Sequence, residues 1–155
     1  MHTRREMLSQ SAKVAAMLAA VGMLPAVAQA QAGGFNTAAF AAKTMPDLMK
    51  AVGGGTPVES KDVTVTGPDI AENGAVVPVG AATSLPGVKR LLILVEKNPS
   101  MLTAMFDVTD AVEANVTTRV KMGQSSDVYA VAMMNDGKVL FAKKEVKVTL
   151  GGCGG

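Results

Sequence analysis

From Asp62 to Leu150 the chain alternates apolar and polar residues with a period of two, the pattern of strands buried on one face. The clearest run sets Val112, Ala114, Val116, Thr118, Val120 and Met122 against Glu113, Asn115, Thr117, Arg119 and Lys121, which predicts one long half-buried strand. Asp62 to Thr66 alternates around Val63 and Val65. Val76 to Val79 is short and holds Pro78, which predicts an edge position or a bulge. Arg90 to Val95 is continuously apolar after its first residue and reads as a central strand. In Leu102 to Val108 the pattern places Leu102, Ala104 and Phe106 on one face and Thr103, Met105 and Asp107 on the other. Asp127 to Met134 and Val139 to Lys143 are joined by Asn135-Asp136-Gly137-Lys138, where Asp-Gly supplies the positive φ of a tight hairpin. A last strand covers Glu145 to Leu150. About eight strands at roughly 8 to 12 residue spacing predict an all-β sandwich, favoured over a barrel.

A short helical segment precedes the strands. Asn36 or Thr37 can cap it, Phe40, Leu48, Met49 and Val52 are its apolar contacts, and Pro46 divides it into two short helices. Gly53-Gly54-Gly55-Thr56-Pro57 then ends it. At 155 residues one folded domain is expected.

The first thirty residues read as an address. Met1 to Leu8 is charged, Ala12 to Ala28 is apolar and Ala-rich, and Ala28-Gln29-Ala30 is a small-residue cleavage site, so residues 1–30 have the three parts of a secretory signal peptide. The pair Arg4-Arg5 followed by Glu6-Met7-Leu8 resembles the twin-arginine type, with Met7 where Phe is commoner. Export to the periplasm by that route is expected, with cleavage after Ala30 or Ala28. No Cys stands directly after the cleavage site, which argues against a lipoprotein.

Removing this segment changes what chemistry remains. Arg4, Arg5 and Lys13 against Glu6 account for the whole net charge of +2, so the exported part is neutral and has no basic footprint for nucleic acid. His2, the single histidine, leaves as well, and with it the commonest general base and transition-metal ligand. One Cys excludes an internal disulfide and a Cys-rich zinc site. Met133-Met134 and the other methionines read as core filler, so neither a metal nor another cofactor is expected. Past the signal no apolar run approaches the roughly 18 residues of a membrane span, and no membrane association is expected. Glu72-Asn73-Gly74 and Asn98-Pro99 read as turns.

The chain ends Leu150-Gly151-Gly152-Cys153-Gly154-Gly155. Gly151, Gly152, Gly154 and Gly155 remove every Cβ beside the thiol and give the segment maximal backbone freedom. A lone cysteine, usually among the most buried residue types, here occupies the most exposable place. Nothing nearby activates it: the carboxylate of Gly155 opposes ionisation, and Lys147 lies on the preceding strand. Such a thiol is acted upon by partners, which predicts a covalent carrier with Cys153 as the attachment point and no catalytic residue.

The ending Val146-Lys147-Val148-Thr149-Leu150-Gly151-Gly152-Cys153-Gly154-Gly155 resembles the SoxY family, the sulfur-carrier subunits of the periplasmic thiosulfate-oxidising Sox system. The resemblance extends through Ala71 to Val79, Glu96-Lys97-Asn98-Pro99 with Thr103 to Phe106, and Thr118-Arg119-Val120 leading to Ser126-Asp127-Val128. In Asn98-Pro99-Ser100-Met101 it departs from the second Pro often found in the family. The resemblance implies an immunoglobulin-like β-sandwich and a heterodimer with SoxZ. It also implies a cycle in which SoxAX conjugates thiosulfate to Cys153 and SoxB releases sulfate to leave a persulfide. The implied layout is a twin-arginine signal over 1–30, a helical lead-in over 31–56, the sandwich over 57–150 and the flexible carrier arm over 151–155. Two other readings stand beside it. One is a ubiquitin-like carrier whose Gly154-Gly155 becomes a thiocarboxylate, which needs ATP that an exported protein lacks. The other is an exported interaction module joined through a Cys153 intermolecular disulfide.

Overall fold

The computed structural model describes residues 36–150. The signal with Arg4 and Arg5, the cleavage site, and the segment Gly151, Gly152, Cys153, Gly154 and Gly155 lie outside the described residues. Two helices lead, α1 (Thr37–Ala41) and α2 (Met45–Val52). Asn36 caps the first, its side chain accepting from the Ala39 N–H at 3.0 Å. Thr44 caps the second, accepting from the Asp47 N–H, and Pro46 sits in the opening turn, where its missing N–H costs nothing. Gly53 closes α2 at φ 70°, a left-handed cap that glycine takes without strain.

Nine strands follow among the described residues: β1 (Pro57–Glu59), β2 (Val63–Thr66), β3 (Ile70–Ala71), β4 (Val77–Thr83), β5 (Val88–Val95), β6 (Leu102–Asp107), β7 (Asn115–Val120), β8 (Ser126–Met134) and β9 (Val139–Val148). They form an immunoglobulin-like sandwich. The larger sheet runs β1-β9-β8-β5-β6, with β3 also paired to β9, and the smaller runs β2-β4-β7. Between them lies one core, in which Leu91, Ile93, Val128 and Val146 of the large sheet meet Val77 and Val79 of the small one. The opposite face of the large sheet is covered too. Leu92, Leu94, Val131 and Met133 pack with Leu48 and Met49 of α2 in a second core. Ser100 Oγ donates to Phe40 O at 2.7 Å and Lys43 Nζ donates to Pro99 O, tying the helical segment to the β5–β6 turn. β5 therefore reads as an unbroken apolar run because both of its faces are buried.

The Asp-Gly hairpin is present between β8 and β9, with Gly137 at φ 88°. Four strand expectations are corrected. The long strand expected over 112–122 spans only Asn115–Val120, because its partner β4 stops opposite Asn115 and Val112 is already in a turn that bonds back to Thr109. Pro78 lies not on an edge strand but in β4, the middle strand of the small sheet. It is accommodated because β2 ends at Thr66 opposite Gly80, leaving no ladder partner on that side of Pro78. Leu102 does not share a face with Ala104: the register shifts between Ile93 and Leu94, Thr103 is left over, and Leu102 turns to the helical side with Leu94.

The fourth correction concerns the end of the chain. The two strands expected over Val139 to Lys143 and Glu145 to Leu150 are a single strand, β9, of ten residues ending at Val148. Of its even-numbered residues, Leu140, Ala142, Val146 and Val148 face the inter-sheet core, with Lys144 the one interruption. On the other face Val139 and Phe141 lie in the helical core, while Lys143, Glu145 and Lys147 stand exposed past it. Lys143 marks where the helices stop covering one face of the sheet, and Lys144 on the other face reaches Gly67 O and Asp69, so the charged pair does not break the strand.

Gly80 sets how closely the small sheet can pair. A Cβ there would meet Thr66 Oγ1 inside contact distance and Val116 O at 2.9 Å, so glycine is what lets β2 and β7 close on β4 from both sides.

Candidate functional site

β9 delivers the chain to one end of the sandwich, where three turns gather: 72–76 before β4, 96–101 between β5 and β6, and 121–125 between β7 and β8. Each turn holds the others or β9. Asn98 Nδ2 donates to Lys121 O at 2.7 Å and Asn98 Oδ1 accepts from the Gly123 N–H, so the Asn98-Pro99 turn is joined to the 121–125 turn. Ser125 Oγ accepts from the Val148 N–H at 2.8 Å.

The last described residues are fixed by the segment 69–74. Lys147 N–H donates to Asp69 O at 3.0 Å and Thr149 N–H to Ala71 O at 3.1 Å, continuing the parallel pairing of β3 with β9. Thr149 Oγ1 donates to Glu72 O at 3.0 Å. Gly74 N–H donates to Leu150 O at 2.7 Å, and Gly74 O accepts from the Met122 N–H at 2.7 Å. One peptide unit on each side of Gly74 thus links the end of β9 in the large sheet to the end of β7 in the small one. Asn73 shapes the turn that presents Gly74, its Oδ1 accepting from the Ala75 N–H at 2.8 Å. Glu72-Asn73-Gly74 is a turn as expected, and Gly74 is not among the left-handed glycines, so this turn does without the positive φ that Asn-Gly pairs often take.

Lys144 secures the approach to this clamp. Its Nζ donates to Gly67 O at 2.6 Å and pairs with Asp69 Oδ1 at 2.9 Å. The hydrogen bond first, and the charge of Lys144 second, hold the Asp69 carboxyl below the usual carboxylate range. Among the described residues there is no group of three or more His, Cys, Asp or Glu placed to hold a metal, and no helix is long and apolar enough to cross a membrane.

The residues singled out by sequence and those of the clamp are thus adjoining but different. Cys153 and its glycines are outside the described residues. Thr149, Asn73, Gly74 and Ser125, which hold the strand that leads to them, escaped the sequence reading. Asn73-Gly74 was legible as a turn, but its partner strand was not, because Thr149 and Glu72 are 77 residues apart and only topology brings them together.

Asn73→Ala is expected to loosen this end alone. Loss of one hydrogen bond costs about 1 kcal/mol. Amide exchange should quicken severalfold at Gly74 and Ala75 and stay unchanged in β5, as hydrogen exchange followed by NMR will show. Equal acceleration in both places would mean that Asn73 supports the whole fold and not this end of it.

The fold and the clamp define a class: an immunoglobulin-like sandwich whose last strand is held rigid up to the point where a thiol-bearing segment begins. The sequence matches the family described as sulfur oxidation protein SoxY over residues 48–153. The structure is similar to that of the sulfur carrier protein SoxY from Chlorobium limicola f thiosulfatophilum, with 35% identity over 70% of this chain and 97% of that one and a TM-score of 0.62. The chain belongs to the SoxY family, and with it to the sulfur carriers of sulfur oxidation. A superoxide reductase (neelaredoxin) from Ignicoccus hospitalis aligns at 18% identity over 56% of this chain and 78% of its own, with a TM-score of 0.50, a likeness of fold alone. No curated protein matches.

Proposed function

We propose that the thiol of Cys153 carries the sulfur, and that the chain exchanges it among enzymes on a Gly-Gly-Cys-Gly-Gly arm while taking no catalytic part itself. The observation that best supports this reading is the clamp on Leu150: the sandwich is held to its rim by Gly74 and Thr149, and the five residues beyond Leu150 include the single Cys of the sequence. In the first step of the cycle, thiosulfate and the Cys153 thiol join through a new S–S bond. The thiol proton is released, and two electrons pass to a c-type haem enzyme of the SoxAX kind. In the second, water attacks the terminal sulfonate sulfur, the bond from that sulfur to the sulfane sulfur breaks, and sulfate leaves. A persulfide remains on Cys153, with a SoxB-type hydrolase supplying the catalysis. No cofactor on this chain is required. The stable form is a heterodimer with a SoxZ-type subunit, and Arg4-Arg5 directs export to the periplasm by the twin-arginine route, which can carry a folded, signal-less partner along.

Intact-mass measurement of the exported protein from cells grown on thiosulfate tests this reading. Expected are sulfur-containing adducts confined to Cys153 and removed by a reductant. A thiocarboxylate at Gly155, or only a Cys153-linked homodimer, would overturn it.

A further inference from the structure

Among the described residues five large apolar side chains stay exposed: Val58 at 57%, Ile70 at 57%, Val76 at 55%, Val112 at 57% and Leu150 at 69%. Three of them adjoin the clamp. Leu150 is its last member. Ile70 pairs in register with Lys147 and stands outward while its neighbour Ala71 turns into the core. Val76 closes the same turn as Gly74, its N–H donating to Asn73 O at 3.4 Å. We propose that Ile70, Val76 and Leu150 form an apolar docking rim for the cleft mouths of the enzymes that act on the sulfur carried at Cys153. The inference rests on the carrier reading above and adds the surface by which those enzymes recognise the protein.

The length of the arm leads to this occupant. Three residues of fully extended chain separate Leu150 from Cys153, a reach of about 10 Å. A catalytic centre that touches the carried sulfur must come that close to Leu150, and the protein around its cleft then lies against whatever surrounds Leu150. At the rim the charges are of both signs: Asp69 is already paired with Lys144, and Glu72 and Lys147 are both exposed. No single-sign field selects the partner, so apolar contact has to do it. Contact of that kind also suits a carrier that several different enzymes must accept in turn, since it commits the surface to no one pattern of charges.

The test uses the full exported chain in complex with its partner subunit, loaded with thiosulfate on Cys153, and a purified hydrolase that releases sulfate from it. Ile70→Thr combined with Leu150→Ser, and separately Val76→Thr, should raise KM for the loaded carrier, by tenfold or more in the double variant, with kcat within twofold. Alkylation of the unloaded thiol by iodoacetamide should keep its rate, showing that the arm itself is undisturbed. Val112→Thr, at the opposite end of the sandwich, should behave as wild type. Unchanged KM in the rim variants would overturn the proposal. So would loss of the partner-subunit complex in parallel with the rise in KM, because the patch would then be that subunit's seat. If wild-type protein alkylated at Cys153 still carries sulfur, the carrier reading itself fails and the rim falls with it.

Discussion

On the proposed carrier reading, Cys153→Ser should abolish thiosulfate-dependent turnover while leaving the melting temperature and the partner-subunit complex as they were. In that reading the Cys153 thiolate forms the S–S bond to the carried sulfur, and a serine hydroxyl ionises far too weakly and cannot form such a bond. Stability should be unaffected because position 153 follows the last described strand and the clamp on Leu150 in the chain. Substitutions outside packed or bonded positions usually stay within about 0.5 kcal/mol. The measurement is thiosulfate-dependent electron transfer in a reconstituted system, run beside thermal unfolding and size-exclusion of the complex. Residual turnover in the Ser variant would place the carried sulfur elsewhere and refute the assignment.

Leu48→Ala is the substitution within the described fold expected to cost most relative to how modest it looks in sequence. Leu48 sits on an eight-residue helix and is 0% exposed, packed in the core on the far side of the large sheet with Leu92, Leu94 and Val131. Deleting its branched end leaves a cavity between α2 and β5, at a cost of about 3 kcal/mol. The melting temperature should fall by roughly 10 °C, as calorimetry will show. Lys50→Ala, on the exposed side of the same helix, should change it little. If Leu48→Ala proved as mild as Lys50→Ala, the helical segment would be an appendage to the sandwich and not one of its layers.

Period-two patterning was enough for the class of fold, because burial of one face is a local property written residue by residue. The Asp-Gly hairpin and the helix division at Pro46 were legible for the same reason. What escaped was set by neighbours distant in the chain. Pro78 reads as an edge residue until the short reach of β2 is known, and Leu102 shares a face with Ala104 until the bulge at Thr103 moves it. Lys143-Lys144 breaks the pattern into two strands only while the helices covering one face of β9 and the 67–69 segment that Lys144 reaches on the other are out of view. At the functional end the contrast is sharper. Gly-Gly-Cys-Gly-Gly is conspicuous as sequence, whereas the clamp that holds the strand before it consists of a threonine, an Asx turn and main-chain groups. None of these is unusual until Gly74 and Leu150 are seen together.

The position of β9 also bears on how the protein is made. This strand is central in the large sheet, with β8 along one edge and both β1 and β3 along the other. A nascent chain cannot close the sheet before β9 has emerged from the ribosome, because early segments such as Pro57–Glu59 wait for Val139–Phe141 as their partner. Pairing at such separation makes folding late and comparatively slow. A translation product broken off before β9 can still pair β8-β5-β6, but it leaves β1 and β3 without a partner and one edge of β8 bare. Completion of the large sheet is thereby tied to synthesis of the chain to within a few residues of Cys153.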